Sequence, residues 1–304
     1  MQAKVLSIVG PTGVGKSHLA LDLARQCRLQ GQNVEIISMD SALVYRGMDI
    51  GTAKPTAAEQ AEVIHHLIDI RDPSESYSAA HFANDAKQLI EKIQARGNIP
   101  LIVGGTMLYW RAWVYGFSKL PPADPETRKR IDAEALLLGW PGMHTKLAQI
   151  DPITAYRLQP NDSQRIQRAL EVYALTGQPL SQLFEESPSA TGRDSELSEH
   201  AVEVISLEPS NRISLHARLE DRFDQMLENN FMDEVRTLFE RGDLHTNLPA
   251  IRSEQKAYAA TRQLSKRQVT WLRAMQRHAF DPFSPAELQA AKTMAMGILN
   301  ASFK

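Results

Sequence analysis

The sequence predicts an α/β protein of the phosphate-loop (P-loop) type, with a parallel sheet, helices on both of its faces, and a helical insertion that interrupts it. In the first third of the chain, short apolar runs alternate with helical stretches, which is typical of a parallel sheet. After residue 116 the strand signals stop, and only helical signals continue as far as residue 176. A further apolar run at residues 201–207 restores the strand pattern, so we expect the core to resume there.

The element predictions follow from the spacing of apolar residues and from the position of Gly and Pro breaks. The predicted strands are residues 5–9, 34–39, 67–70, 99–103 and 201–207. The predicted helices are residues 17–26, 79–96, 211–241 and about 254–277, together with the helical region 124–176. We expect a P-loop catalytic core formed by residues 1–118 and 196–304, and a helical insertion domain formed by residues 119–195.

Composition and charge narrow the class of protein. The 304 residues carry a formal net charge of -2, so any contact with nucleic acid has to come from a local basic surface. The chain has one cysteine, Cys27, no apolar run of the length a membrane span needs, and no signal-peptide pattern at its start. These features predict a cytoplasmic protein without membrane contact, and nothing in the sequence demands more than a monomer.

The segment Gly10-Pro-Thr-Gly-Val-Gly-Lys-Ser17 matches the phosphate-loop pattern in full, between a predicted strand and a predicted helix. Its glycines allow backbone N–H groups to converge on an anion, and the helix N-terminus adds partial positive charge. We expect Lys16 to contact the terminal phosphate and Ser17 to bind a magnesium ion. The predicted diphosphate-binding residues are Gly10, Pro11, Thr12, Gly13, Val14, Gly15, Lys16 and Ser17. The alternative is a glycine-rich turn that binds no ligand. The pattern by itself also does not distinguish ATP or another nucleotide from other compounds that carry two adjacent phosphates.

Two polar residues follow predicted strands at the carboxyl edge of the sheet, where ligands bind in this architecture. Asp40 ends the second strand, and it can hold magnesium beside Ser17, accept a proton from a nucleophile, or cap the next turn through Ser41. Thr106 follows Gly104-Gly105, and its hydroxyl can contact phosphate or acceptor, or cap the following helix.

Basic side chains at helical spacing mark two further segments. Arg165 and Arg168 lie three residues apart, and the closing segment carries Arg262, Lys266, Arg267, Arg273 and Arg277 around Trp271. Basic and aromatic side chains together suit RNA, although a solvated helix face has the same pattern. Arg218 and Arg222 are compatible with ordinary ion pairing, for instance of Arg218 with Asp221. The nine histidines show no metal-ligand spacing, and no serine or cysteine nucleophile signature is present.

Several longer blocks resemble bacterial tRNA dimethylallyltransferases, and the resemblance covers nearly the whole chain. Besides the phosphate loop, the blocks are Ser38-Met-Asp-Ser-Ala-Leu-Val-Tyr-Arg-Gly-Met-Asp-Ile-Gly-Thr-Ala-Lys-Pro55, His66-Leu-Ile-Asp-Ile-Arg-Asp-Pro73, Pro100-Leu-Ile-Val-Gly-Gly-Thr-Met-Leu-Tyr109, Asn161-Asp-Ser-Gln-Arg-Ile-Gln-Arg-Ala-Leu-Glu-Val-Tyr173 and Ala260-Thr-Arg-Gln-Leu-Ser-Lys-Arg-Gln-Val-Thr-Trp-Leu-Arg273. The Asp40 and Gly-Gly-Thr blocks are far more specific than the phosphate loop.

The resemblance implies transfer of a dimethylallyl group from dimethylallyl diphosphate to N6 of adenosine 37, beside the tRNA anticodon, with Mg²⁺ as cofactor. It implies that Asp40 takes the proton from the attacking amine, that Lys16 stabilises the leaving diphosphate, and that Thr106 and Arg128 stand near the reacting groups. The tRNA contacts it implies are Asp40, Ser41, Ala42, Leu43, Gln164, Arg165, Ile166, Gln167, Arg168, Arg252, Lys266, Arg267, Gln268, Val269, Thr270, Trp271, Leu272 and Arg273.

One departure from the family pattern concerns the segment after Arg252. Family members usually carry a Gly-Tyr-Arg-Gln block and a further helical stretch there, whereas here only residues 253–258 separate the matching segments. Two competing hypotheses share the phosphate loop. One is a small-molecule phosphotransferase that uses ATP, and the other is an RNA-binding protein whose loop is catalytically silent; a carboxylate at Asp40 argues against the latter.

Overall fold

The computed structural model describes residues 4–116, 120–185, 201–244, 248, 250–251, 268–273 and 275–302. In this part of the chain the strands form one sheet in the order β3-β2-β4-β1-β5-β6, and all neighbouring strands are parallel. The strands are β1 (Val5–Val9), β2 (Val34–Met39), β3 (His65–His66), β4 (Ile99–Gly104), β5 (Val202–Leu207) and β6 (His278–Phe280). The predicted parallel α/β sheet is therefore confirmed.

Helices connect the strands and fill the insertion. They are α1 (Lys16–Leu29), α2 (Ala57–Glu62), α3 (Ala79–Ala95), α4 (Met107–Tyr115), α5 (Pro125–Ile150), α6 (Pro152–Arg157), α7 (Ser163–Thr176), α8 (Leu180–Glu185), α9 (Arg212–Glu228), α10 (Phe231–Glu240) and α11 (Pro285–Ala301). Residues 268–272 are also helical. None of the described helices combines the length and the apolar character that a membrane crossing requires.

The chain divides into two compact units. One contains Met1–Val114 and Leu197–Lys304, with the whole sheet, and the other contains Tyr115–Glu196 and is helical where described. The helical unit has its own apolar core, in which Met143, Leu147 and Ile166 are fully buried. The limits predicted for the insertion, residues 119–195, and the assignment of catalysis to the sheet-containing unit stay predictions.

The sheet is the centre of the first unit because its middle strands are buried on both faces. All residues of β1, β2 and β4 are buried, as expected of strands flanked by helices on both sides. On one face, α1 and α11 pack together against alternate strand residues. The side chains that form this layer include Leu19, Leu23, Ala291, Ala295 and Leu299.

One strand prediction at an edge of the sheet is wrong, and the strand at the other edge was missed. The strand predicted at residues 67–70 is wrong, because Leu67 and Asp69 have φ angles of 64° and 56°, which no extended strand can contain. The edge strand lies two residues earlier, where His65 and His66 pair with Ile36 and Ile37. Strand β6 at the other edge was not predicted, since its three residues are too few to give a periodic signal.

Some helix predictions are also revised. The single helix predicted over residues 211–241 is two helices, because Asn230 has φ 68° and breaks the run between α9 and α10. Helices α2 and α11 were not predicted. Both begin with a good cap, a Thr56–Glu59 capping box for α2 and Ser284 for α11.

A buried carboxylate joins β2 to β3 and α3 at the end of the sheet opposite the phosphate loop. Glu35 is 1% exposed and accepts hydrogen bonds from Arg96, Asn98 and His66. Burial alone would raise the pKa of Glu35, but these donors lower it below the ordinary value for glutamate. His66 therefore has a structural partner, which gives the adjacent histidines of the sequence a place in the fold.

The close approach of β2 and β4 gives a stability test at Gly104. A Cβ atom added there would collide with the carbonyl oxygen of Met39, which is backbone and cannot rotate away. We expect Gly104→Ala to lower the free energy of unfolding by about 1–3 kcal/mol, as overpacking does. Gly297→Ala on α11 is the matched control, since its Cβ would meet open space; it should stabilise by about 0.5–1 kcal/mol. Urea unfolding of both variants measures the difference, and equal midpoints would contradict this account.

Candidate active site

The phosphate loop, residues 10–17, connects the buried end of β1 to the first turn of α1. Gly13 and Gly15 have φ angles of +85° and +92°, in the left-handed region that favours glycine. Gly15 occupies the N-cap of α1, and no side chain caps this end of the helix. The first N–H groups of α1 therefore point out of the helix without a side-chain acceptor, which is the arrangement that binds anions.

Lys16 lies in this loop with its ammonium directed back at the loop backbone. Its Nζ donates to the carbonyl oxygen of Pro11 at 2.7 Å. Burial lowers the pKa of Lys16 to about 8, Asp40 partly opposes the shift, and Arg222 adds to it. Lys16, Asp40 and Arg222 thus act on one another through space, so the loop, the end of β2 and helix α9 share one electrostatic site.

Asp40 and Thr106 meet at the carboxyl ends of β2 and β4. The Oδ1 atom of Asp40 accepts from the backbone N–H of Ala42 at 2.9 Å, and the hydroxyl of Thr106 accepts from the N–H of Ser41 at 3.1 Å. The predicted turn-capping role of Asp40 is therefore present, but through Ala42 rather than Ser41. The hydrogen bond from Ala42 uses Oδ1 of Asp40, and within the described residues the other carboxylate oxygen, Oδ2, accepts no hydrogen bond. The Thr106 hydroxyl bonds the segment after Asp40.

Helix α9 supplies two arginines that the sequence did not place in a site. Arg222 is close enough to Asp40 and Lys16 for each charge to affect the others. The guanidinium of Arg218 lies over the ring of Phe283, and its Nη2 would be 3.7 Å from a Cβ built on Gly15. Among the described residues, neither arginine forms the ion pair that the spacing suggested for Arg218 and Asp221. The sequence does give one indication of a shared location for Arg218 and Arg222. They are four residues apart, which puts both side chains on one face of the helix.

The same face of α9 covers the phosphate loop. A Cβ added to Gly13 would be 2.7 Å from Leu219 and 3.8 Å from Leu215, so the loop backbone packs directly on these leucines. Burial lowers the pKa of Arg222, as expected of a cation held in a partly apolar setting beside Arg218. Three cationic groups, Lys16, Arg218 and Arg222, therefore surround the loop near the carboxylate of Asp40.

The segment after the Asp40 turn is fixed to helix α10 by one carboxylate and to helix α9 by one arginine. Glu234 accepts hydrogen bonds from the backbone N–H groups of Asp49, Ile50 and Gly51 at 2.7, 2.7 and 2.9 Å. Arg222 reaches the next carbonyl, that of Thr52, at 3.4 Å. No local sequence pattern indicates this role, because the three backbone donors that converge on Glu234 come from a distant part of the chain.

Gln268 joins the phosphate loop to the end of β4. Its side-chain Oε1 accepts from the N–H of Thr12 at 3.0 Å, and its Nε2 donates to the carbonyl of Gly105 at 2.8 Å. The side chain is 6% exposed, and a Cβ on Gly105 would lie 2.5 Å from Nε2 and 3.0 Å from the carbonyl oxygen of Gly10. The loop, the strand end and the helical residues 268–272 therefore meet in one close contact.

In the helical unit, Arg128 is held by a buried acid that was not predicted. Its Nε and Nη2 atoms donate to the two carboxylate oxygens of Glu171 at 2.8 and 3.0 Å. Arg168 donates to the same carboxylate at 2.6 Å and to the carbonyl of Pro121 at 2.7 Å. Burial alone would raise the pKa of Glu171, but the two arginines lower it.

The neighbouring residues of the predicted tRNA-binding segment in α7 differ in exposure. Gln164 and Arg165 are both exposed, and Arg165 pairs with Asp162. Ile166 is fully buried, and the side chain of Gln167 donates to Asp132 at 2.6 Å. Gln164 and Arg165 are thus the members of this segment that solvent or a ligand can reach most readily.

The predicted RNA-facing helix near the C-terminus is described only in part. Arg252, Arg262, Lys266 and Arg267 lie outside the described residues. Trp271 is 40% exposed and lies 5.7 Å from the guanidinium of Arg111, measured to the ring centroid. Thr270 and Arg273 are exposed, Val269 is partly buried and Leu272 is fully buried.

The position predicted for Arg277 is wrong. The sequence placed it on this helix with Arg273, but it lies beyond residues 268–272 and immediately before β6. Its guanidinium pairs with Glu208 through two hydrogen bonds of 2.5 and 3.1 Å. Arg277 therefore fastens the last edge strand to β5, and it is not part of the exposed basic surface.

A magnesium ion would find oxygen donors at the start of α1. The described residues contain no cluster of three or more His, Cys, Asp or Glu side chains that could hold a metal by themselves. Ser17 is exposed beside the loop amides, with the carboxylate of Asp40 nearby in the shared electrostatic site. Such a sparse set of hard oxygen donors fits magnesium, which usually keeps water and substrate oxygens among its ligands.

The chain is similar to known proteins along almost its whole length. The family model described as IPP transferase matches residues 43–255. The tRNA dimethylallyltransferase of Polynucleobacter asymbioticus is 58% identical, over 94% of this chain and 92% of its own length. The tRNA dimethylallyltransferase of Ralstonia pickettii is 52% identical, over 93% of this chain and 91% of its own length.

Solved structures give the same result. The full-length tRNA isopentenylpyrophosphate transferase of Bacillus halodurans is 34% identical, with a TM-score of 0.65, over 99% of this chain and 98% of its own. A eukaryotic dimethylallyltransferase, described as acting on tRNA, is 25% identical with a TM-score of 0.75, over 97% of this chain and 77% of its own. High identity along almost the whole chain and a shared fold lead to one conclusion: the chain belongs to the IPP transferase family.

Proposed function

We propose that this chain transfers a dimethylallyl group from dimethylallyl diphosphate to N6 of adenosine 37 in tRNA and releases diphosphate. Its family and the tRNA dimethylallyltransferases to which it is 58% and 52% identical support this activity. The observation that carries the proposal is the charge arrangement at the phosphate loop, where Lys16 and Arg222 share a site with the carboxylate of Asp40. Such a site suits an anionic leaving group beside a proton acceptor.

The loop residues 10–17 would bind the diphosphate, with the N–H groups at the start of α1 as donors. As the bond between the substrate's C1 and the bridging oxygen breaks, its electron pair stays with the diphosphate. Lys16, Arg218 and Arg222 would stabilise this growing negative charge. The partial burial of Lys16 and Arg222 supports the role, because a charge in a water-poor site acts more strongly than one in bulk water.

Asp40 would act at the other end of the reaction. The N6 atom of the adenine forms the new bond to C1, and the proton it loses passes to the carboxylate of Asp40. The oxygen Oδ1 is held by Ala42, which would leave Oδ2 for this proton. Thr106 would position this base by bonding Ser41. Because the acceptor atom belongs to a nucleobase, the adenine would have to leave its stack in the RNA.

Magnesium would be held by the hydroxyl of Ser17, alone or together with Asp40, and by the substrate's phosphate oxygens. When bound, this ion would neutralise charge on the diphosphate as it departs. The protein residues keep their own tasks: the loop amides orient the diphosphate, and Lys16 compensates its charge.

The tRNA contacts that we propose are the exposed members of the set predicted from the sequence. Exposed Trp271, with Arg111 against its ring, would stack on a base, and exposed Arg165 and Arg273 would contact the backbone. The family resemblance implies a further role in the reaction for Arg128, whose guanidinium forms a bidentate pair with Glu171. We further propose that the protein acts on the anticodon loop as a monomer in the cytoplasm, where its substrate is found.

The direct test is to mix the protein with Mg²⁺, labelled dimethylallyl diphosphate and tRNA that carries adenosine at positions 36 to 38. Label should enter the RNA and be found on N6 of adenosine 37 after nuclease digestion. A parallel incubation with labelled ATP tests the competing phosphotransferase hypothesis. Unlabelled RNA in the first reaction, or transfer of phosphate in the second, would overturn the proposal.

Asp40→Asn should separate chemistry from binding. The amide oxygen can still accept from Ala42 and keep the turn, but it cannot take a proton at neutral pH. We expect the single-turnover rate to fall about 10²- to 10⁴-fold, as for loss of a general base. Affinity for dimethylallyl diphosphate should hold or rise, because the carboxylate beside Lys16 and Arg222 is neutralised. Equal losses in rate and in tRNA affinity would instead make Asp40 a binding residue.

The pKa of Lys16 predicts a pH dependence of diphosphate binding. Below about pH 8 the ammonium is charged and attracts the anion, and this contribution is lost as pH rises through the pKa. We expect the wild type to bind inorganic diphosphate about 10- to 100-fold more tightly than Lys16→Met near pH 7, a range typical of a hydrogen bond to a charged group. That ratio should shrink towards one by about pH 9.5. Calorimetric titrations of both proteins measure it, and the ratio cancels protonation of the ligand. A constant ratio would refute the assignment.

A further inference from the structure

Gln268 has a position that an RNA-contacting side chain would not need. Its side chain is 6% exposed, and both ends of its amide are used within the protein. The acceptor Oε1 holds the N–H of Thr12 in the phosphate loop, and the donor Nε2 holds the carbonyl of Gly105 at the end of β4. The amide thus connects the part of the site that would bind diphosphate to the strand end that carries Thr106.

We propose that Gln268 is a positioning residue that sets the separation between the diphosphate-binding loop and the acceptor side of the site. The inference rests on the function proposed above, in which the loop holds the leaving group while Asp40 and Thr106 serve the acceptor. Transfer between two substrates depends on this separation, because reacting atoms must be held about 3–3.5 Å apart and in line.

The chemistry of the contact requires an amide of this length. Thr12 presents a donor and Gly105 an acceptor, so the bridging side chain needs one acceptor atom and one donor atom. Glutamate can serve Thr12 but, when ionised, it sets a negative charge against the Gly105 carbonyl. Methionine has a similar shape and serves neither partner. The backbone has little room to shift and replace these hydrogen bonds, since a Cβ built on Gly105 would already lie 3.0 Å from the carbonyl oxygen of Gly10.

The location of Gln268 also connects the phosphate loop to Trp271, which is proposed to contact RNA. Residues 268–272 are helical, so Gln268 lies one turn from Trp271 and Leu272. Leu272 is fully buried, which anchors this turn, while Trp271 is partly exposed beside Arg111. RNA bound at Trp271 would therefore contact a helical turn that Leu272 anchors in the core and that also holds the phosphate loop through Gln268.

Three variants test the proposal: Gln268→Met, Gln268→Glu and, as a matched charge control on α11, Gln289→Glu at an exposed position. Each is assayed for kcat, for KM of dimethylallyl diphosphate and of tRNA, and for binding of inorganic diphosphate with Mg²⁺. Loss of both hydrogen bonds in Gln268→Met should weaken diphosphate binding or lower kcat by about tenfold. KM for tRNA should change less than about threefold, and Gln289→Glu should match the wild type.

The pH profile of Gln268→Glu distinguishes positioning from a general structural role. A buried carboxyl takes up a proton more readily than an exposed one, and the protonated form donates to Gly105 again. The ratio of its kcat/KM to that of the wild type should therefore rise several-fold between about pH 8 and pH 6. The charged groups on the surrounding elements are common to both proteins and cancel in the ratio; they are Lys16, Asp40, Arg111, Arg218, Arg222 and Arg273.

The outcomes separate cleanly. A constant ratio across pH, or wild-type kinetics in Gln268→Met with only a lower melting temperature, would overturn the positioning role. Weaker tRNA binding with normal diphosphate binding would instead make Gln268 an RNA contact. If Gln268→Met does not fold, the pH comparison of Gln268→Glu decides alone. Failure of the proposed function is a separate result, because it would appear as absence of dimethylallyl transfer in the wild type, while diphosphate titration still reports on the contact.

Discussion

The close backbone approach at the carboxyl ends of β2, β4 and β1 is the constraint on which the site depends. The Met39 carbonyl leaves no room for a side chain at Gly104, and the Gly10 carbonyl leaves almost none at Gly105. These glycines let three strand ends converge. The loop, Asp40 and Thr106 are thereby placed around one point, although they come from three separate segments of the chain. Bulkier residues at these positions would separate the groups that the proposed reaction needs together.

Convergence of the strand ends also determines the electrostatics. Helix α9 lies over the phosphate loop through Leu215 and Leu219, so Arg222 enters a region from which water is partly excluded. Burial lowers the pKa of Lys16 and of Arg222, and the attraction of Asp40 offsets only part of that effect. Holding these two cations away from water at the loop therefore costs the protein folding stability. An anionic ligand would offset that cost, which gives a physical reason for the site to favour a diphosphate.

Local sequence patterns were sufficient for the centre of the fold and for the residues on its strand ends. Buried strands have continuous apolar runs, and their carboxyl ends meet at one edge, so the amino-acid sequence alone predicts that Asp40 and Thr106 lie near Lys16. The same patterns failed where conformation depends on single residues, as at Leu67 and Asn230 with their positive φ angles. They also missed Glu234 and the bridging role of Gln268, because both depend on which distant backbone groups the side chains reach.

In the helical unit, a residue that is committed to a structural partner still has hydrogen-bond donors left for the role proposed for it. A guanidinium has five N–H donors, and the pair with Glu171 uses only Nε and Nη2 of Arg128. Glu171 is fully buried and also accepts from Arg168, so its charge is balanced and the planes of both guanidinium groups are fixed. The remaining donors of Arg128 are then already oriented. This lowers the conformational entropy lost on binding a phosphate or a base, which a freely rotating arginine would have to lose at that moment.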